Sequence, residues 1–105
     1  MEDWQEKQKG IPDIIREIHG IFGEDFFDFT DFWDGDNIAI GIKRKDTLVY
    51  ISGWGEEGNY TYYLEIERID PLTCMPLEVM ERVNKLPPEA IIKHILAFVT
   101  QHPIP

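Results

Sequence analysis

The sequence predicts an α+β domain, with an N-terminal helix, a three- to four-stranded antiparallel meander and two C-terminal helices packed on one face of the sheet. Three observations lead to this prediction. Isoleucines recur at helical spacing early in the chain, three central runs alternate apolar and polar residues, and helical spacing returns near the end. The 105 residues suffice for a single domain, 1–105, in which 1–10 is a polar lead-in and 101–105 a tail.

The first helix is predicted from about residue 12 to residue 22. Pro12 suits its first turn, where the missing backbone N–H would have no partner anyway, and Gly20 and Gly23 close it. One apolar stripe runs along this segment at helical spacing, formed by Ile11, Ile14, Ile15, Ile18 and Phe22.

Residues 24–36, here called the acidic segment, hold six carboxylates, five large aromatic residues and no basic residue. Burial of the aromatic rings is favourable, whereas carboxylates buried with them would lose their hydration. We therefore expect one buried face and a row of negative charge facing solvent. The rings fit a helical stripe and also an alternating strand. The β-propensity of aromatic residues and the hairpin signal Asp34-Gly35 favour an edge strand.

Three strands are predicted after this segment, because apolar and polar residues alternate through short runs joined by turn sequences. The runs are 38–42, 47–54 and 60–67. In the last run Tyr60, Tyr62, Leu64 and Ile66 share one face, and Thr61, Tyr63, Glu65 and Glu67 share the other. We expect helices to cover the isoleucine-rich face and to leave the second face exposed to solvent.

Two helices are predicted to follow the sheet, which ends at Asp70-Pro71 because proline cannot donate to a strand ladder. Pro76 opens the first of them, with Leu77, Met80 and Val83 as its apolar stripe. Pro87-Pro88 then break the chain, and the last helix starts at Pro88. It is apolar over most of its circumference, through Ile91, Ile92, Ile95, Leu96, Phe98 and Val99.

The charge of the chain excludes several classes of partner. Twenty acidic residues oppose ten basic ones, which gives a net charge of −10. This field repels nucleic acid and anionic lipid, so we expect no nucleic-acid partner and no membrane partner, and it attracts basic surfaces. The sequence also predicts a cytoplasmic protein. Cys74 is the only cysteine, Met1–Trp4 lack the pattern of a signal peptide, and no apolar run reaches the length of about 20 residues that spans a bilayer.

The sequence predicts no catalytic residue, no metal site and no cofactor. Asp34, Asp36 and Asn37 group oxygen atoms around a glycine, but they lack the ligand spacing of a calcium loop and favour a solvated turn. The three histidines are scattered. Cys74 precedes the helix predicted at Pro76, where a helix N-terminus lowers a thiol pKa, yet no base is close in sequence, which favours an idle thiol.

The function favoured by these features is that of a protein-interaction module whose acidic face docks on a basic protein partner, as an inhibitor or immunity-type protein does. The run Phe32–Asp36 entering a strand resembles a segment of some bacterial immunity proteins; it covers five residues and implies no role for any of them. Trp54 and Tyr63 flank a glycine-rich loop and are candidate anchors, although such residues also fill small cores. The predicted partner-binding residues are Glu24, Asp25, Asp28, Asp31, Asp34, Asp36, Trp54 and Tyr63.

Two further functions stay open. The first is a small-molecule-binding or enzymatic domain with a pocket between the sheet and the last helix. The second is a homo-oligomer closed by the apolar last helix or by a sheet edge.

Overall fold

The computed structural model describes residues 4–29 and 36–104 and has the predicted α+β class. One antiparallel sheet of five strands has the order β1-β2-β3-β4-β5. Its strands are β1 Asp28–Phe29, β2 Ala39–Arg44, β3 Thr47–Trp54, β4 Thr61–Ile69 and β5 Pro76–Leu86. Helix α1 spans Ile11–Phe22, helix α2 spans Pro88–Gln101, and a short 3-10 helix spans Trp4–Glu6.

Helix α1 lies where its apolar spacing predicted, and a glycine flanks it at each end. Gly10 precedes the helix with φ at 76°, and Gly23 ends it by donating its backbone N–H to the His19 carbonyl at 2.9 Å. Residues 4–10 before α1 are anchored to the rest of the chain, because Trp4 is buried against the rings of His19 and Phe29.

The two helices cover one face of the sheet, and the other face carries no helix formed by residues 4–29 and 36–104. Cross-strand pairs align Ile40 with Ile51 and Ile51 with Leu64, so their side chains share a face. These side chains form one core with the buried residues of both helices. The opposite face, here called the helix-free face, carries Thr61, Tyr63, Glu65 and Glu67 as predicted.

The helix predicted from Pro76 is wrong, because this segment is the edge strand β5. Ile66 pairs with Glu81 and Glu67 pairs with Val79, so Met80 is an extra residue in a β-bulge. Met80 in the bulge and Val83, three residues later, both pack against the core. The three-residue apolar spacing that resembled a helical turn is therefore produced by the bulge.

Helix α2 begins at Pro88 as predicted, and it is the one C-terminal helix of the described chain. Ile91, Ile92, Ile95 and Phe98 are buried, whereas Leu96 is 45% exposed. Across residues 4–29 and 36–104, neither length nor apolar content allows any helix to cross a bilayer.

Candidate functional site

The helix-free face brings aromatic and charged side chains into short rows across the strands. Ser52 on β3 lies opposite Tyr63 on β4, and Tyr50 lies opposite Glu65. Glu65 in turn lies opposite Arg82 on β5. Because directly opposed residues of antiparallel strands project from the same side, these five side chains are close neighbours on one surface.

A groove of about 490 Å³ occupies the β3–β5 part of this face and is here called the aromatic groove. Ser52, only 3% exposed, lies between Tyr50 and Trp54 along β3 and forms the floor. The rings of Tyr50 and Tyr63 meet edge to face, with centroids 6.1 Å apart. The residues that line the groove are Tyr50, Ser52, Trp54, Thr61, Tyr63, Asn84 and Lys85.

Trp54 is the most accessible ring of the groove, with 55% of its surface exposed. Its indole Nε1–H donates to the Ser52 Oγ at 3.1 Å. This bond holds the ring against the sheet although the residue ends a strand, so the aromatic surface is ordered before any ligand arrives.

The β5 side of the groove is shaped by a second irregularity of the strand. Tyr62 pairs with Leu86 and Leu64 pairs with Val83, so Tyr63 faces two residues, Asn84 and Lys85. Lys85 has φ at 57°, and its backbone N–H donates to the Asn84 Oδ1 at 2.9 Å. The bulge thereby brings an amide and an ammonium group to the rim.

Two carboxylates, Glu65 and Glu67, lie next to the groove, and Glu65 pairs with the Arg82 guanidinium. Glu65 accepts hydrogen bonds from the Tyr63 hydroxyl and, at 3.2 Å, from the Arg82 Nε. Partial burial pushes the pKa of Glu65 upward, but hydrogen bonds from Glu67, Tyr63 and Arg82 outweigh it and lower that pKa. Burial and the neighbouring Glu65 carboxylate raise the pKa of Glu67 to about 7.

The carboxylates of the acidic segment are exposed wherever the structure describes them. Glu24 and Asp25 lie in the turn after α1, Asp28 lies on β1, and Asp36 precedes β2. None of the four forms an ion pair within residues 4–29 and 36–104. The Asp36 Oδ1 accepts the Ile38 backbone N–H at 3.0 Å, as in a turn.

Asp31, Asp34 and the Asp34-Gly35 hairpin lie outside the described residues. The predicted edge strand is present as β1, where Asp28 pairs with Lys43 and therefore belongs to the helix-free face. Asp36 lies at the opposite end of β2, close to Trp54, because the Gly53 N–H donates to the Ile38 carbonyl at 2.7 Å. The structure thus brings Trp54 and Tyr63 together, and it places Asp28 and Asp36 at the two ends of the neighbouring sheet edge.

Cys74 is not at a helix N-terminus, contrary to the prediction, because the chain continues into β5. The residue lies in the β4–β5 loop with φ at 62°, and its Sγ is 3.6 Å from the Lys43 Nζ. Among the described residues, no three histidine, cysteine or acidic side chains converge as metal ligands would.

A second cavity, of about 260 Å³, lies between the sheet and the C-terminal end of α2. It coincides with the pocket position that the sequence suggested, and it is smaller than the aromatic groove. Its lining residues are Asp46, Thr47, Glu67, Arg68, Met80, Phe98, His102 and Pro103.

Several residues of the aromatic groove were not singled out from the sequence. Tyr50 and Ser52 were identifiable, because they share the parity of Trp54 within a predicted strand. Asn84 and Lys85 were missed, since their segment was predicted as a helix. Comparisons with known protein families, with curated proteins and with solved structures gave no match for this chain.

Proposed function

We propose that this chain is a small acidic interaction module that docks on a basic protein surface, in the manner of an inhibitor or immunity-type protein. One observation carries the proposal. Four exposed carboxylates, Glu24, Asp25, Asp28 and Asp36, have no described basic residue in an ion pair with them. Asp28 belongs to the sheet whose helix-free face presents Trp54, Glu24 and Asp25 lie in the turn between α1 and β1, and Asp36 precedes β2.

Unpaired surface carboxylates have a specific energetic consequence. They are already hydrated and held by no described ion pair, so a basic partner can pair with them without first breaking an internal ion pair. Together with the net charge of −10, they attract such a partner over a distance and accelerate association. The aromatic groove supplies the apolar area that slows dissociation.

The experiment that tests this function is affinity capture at low and high salt, with the captured partner identified by mass spectrometry. The test variant combines Glu24→Gln, Asp25→Asn and Asp28→Asn. The control variant combines Glu6→Gln, Glu17→Gln and Glu89→Gln, which removes three exposed charges on the helical side of the molecule.

We expect the native chain to capture a basic protein at low salt and to lose it at high salt. The test variant should capture much less, and the control variant should match the native chain. Equal losses in both variants would show that only total charge matters. A partner that binds regardless of salt would contradict the proposal.

Binding of a small molecule is the second candidate, and the aromatic lining of the groove favours it. Its volume of about 490 Å³ falls in the range of ligand pockets, as does that of a more polar groove of about 600 Å³ at the start of α1, whereas the cavity beside α2 is below that range. A thermal-shift screen tests this function. A compound that stabilises the native chain and not Trp54→Ala would support it, and a screen without any shift would count against it.

A further inference from the structure

We propose that the aromatic groove receives the guanidinium group of an arginine side chain from the basic partner. This inference rests on the proposed function and names the anchor that the helix-free face accepts. A guanidinium carries a full charge but is weakly hydrated, so an aromatic surface compensates for the water that it loses.

The hydrogen bonds of two rings make their faces more attractive to a cation. The Tyr63 hydroxyl donates to the Glu65 carboxylate, and the Trp54 indole N–H donates to the Ser52 Oγ at 3.1 Å. A ring that donates its polar hydrogen to an acceptor gains electron density, which strengthens the negative potential over its face. Both bonds therefore prepare the groove for positive charge.

The rest of the chain uses the same interaction. Three of its own cations lie over aromatic rings at 4.1 to 5.8 Å from the ring centroids. Within the described residues, no cation lies over Trp54 or Tyr63. The three occupied pairs are Lys9 with Tyr60, Arg16 with Trp4 and Arg44 with Phe26.

The polar groups of the groove suit a guanidinium as well. The hydroxyls of Ser52 and Thr61 supply acceptor oxygens beside the rings. The Glu65 carboxylate lies next to Tyr50 in the same cross-strand row, but the Arg82 guanidinium already pairs with it. Two cations of this face oppose an incoming guanidinium: Arg82, which is bound to Glu65, and Lys85, which lines the groove and would attract an anion. Removal of the Lys85 charge therefore distinguishes the two kinds of occupant.

The test is an NMR titration of the native chain with N-acetylarginine amide as the probe. N-acetylcitrulline amide is the matched control compound, because it has almost the same shape without the charge. We expect the Trp54 indole N–H signal, assigned by its loss in Trp54→Ala, to shift on addition of the arginine compound. The citrulline compound should bind at least about threefold more weakly.

Three variants complete the experiment. Trp54→Ala should abolish the shifts around the groove, and Leu77→Ala, which removes an exposed apolar side chain away from the groove, should leave affinity unchanged. Lys85→Gln should raise the affinity for the arginine compound by about twofold or more, because it removes a repulsive charge.

Equal binding of both compounds, no binding of the arginine compound, or weaker binding by Lys85→Gln would each overturn the inference. The last result would assign the groove to an anionic or neutral ligand. If Trp54→Ala still captured the basic partner at full strength, the arginine anchor would be refuted while the docking function remained.

Discussion

Glu67 lies beside the Glu65 carboxylate, and its raised pKa makes folding sensitive to pH near neutrality. Hydrogen bonds from Glu67, Tyr63 and Arg82 lower the pKa of Glu65, while burial and the Glu65 carboxylate raise the pKa of Glu67 from 4.5 to about 7. Between these two values the folded chain binds a proton that the unfolded chain has released. Stability therefore falls as pH rises through this window.

Substitution of Glu67 tests this coupling. We expect Glu67→Gln to raise the free energy of unfolding above pH 7 by about 1 kcal/mol, a value reduced because the half-buried group is partly screened by water. Below pH 4.5 the variant and the native chain should be equally stable. Urea denaturation at both pH extremes measures the difference, with Glu57→Gln as the control. An equal effect at both extremes would contradict the coupling.

Two glycines near α1 have opposite tolerance for a side chain. Gly10 has φ at 76°, and a Cβ there would overlap the Tyr62 hydroxyl. That hydroxyl donates to the Lys9 carbonyl at 2.7 Å, and burial raises the pKa of Tyr62 to about 12. A Cβ on the helical Gly20 would meet nothing within 4 Å.

We therefore expect Gly10→Ala to destabilise the chain by about 2 kcal/mol or more. Gly20→Ala should stabilise it by about 0.5 to 1 kcal/mol, because alanine restricts the unfolded chain and favours helix. Thermal denaturation of the two variants checks this pair. If Gly10→Ala stabilised the chain, the prediction would be wrong, and the backbone of the turn before α1 would have to shift without cost to accommodate the Cβ atom.

At the scale of the element, α2 has one buried side and one solvated side despite its apolar composition. Ile95 is fully buried, whereas the adjacent Leu96 is 45% exposed. We expect Ile95→Ala to cost about 2 to 5 kcal/mol and Leu96→Ala to cost less than about 1 kcal/mol. Chemical denaturation measures both. A large, concentration-dependent loss for Leu96→Ala would instead indicate that α2 closes an oligomer interface.

Regular elements of this fold were predictable from periodicity, and irregular ones were not. The stripe of α1 and the alternation of β4 each matched one period over most of the element, so their positions were predicted to within about two residues. β5 was predicted wrongly, because a bulge at Met80 interrupts its alternation. A bulge depends on the partner strand, which local spacing does not reveal.

The candidate site was predictable to the same extent as the strands that carry it. Trp54 and Tyr63 were singled out and line one groove. Lys85 was missed because β5 was predicted as a helix. The charge of Lys85 is the feature of the groove that separates a cationic from an anionic ligand. Asp28 reached the helix-free face because of its pairing with Lys43, which is a long-range contact.

At the scale of the whole molecule, the net charge of −10 works against folding. Compact chains of like charge repel themselves, and salt screens that repulsion. We expect the melting temperature to rise by a few degrees between about 10 mM and about 200 mM sodium chloride. The variant with Glu24→Gln, Asp25→Asn and Asp28→Asn should show a smaller rise. A melting temperature that does not change with the salt concentration would contradict this expectation.

The irregular edge strand β5 has a further consequence for the behaviour of concentrated solutions. Three register shifts interrupt its pairing with β4, so its outer edge is bent over its eleven residues. A straight strand from another molecule can match only a short stretch of a bent edge, which blocks the stacking that starts fibrils. Deletion of Met80 would remove the middle one of the three shifts and lengthen the regular part of the ladder, and we expect the deleted form to aggregate into dye-binding fibres where the native chain stays dispersed.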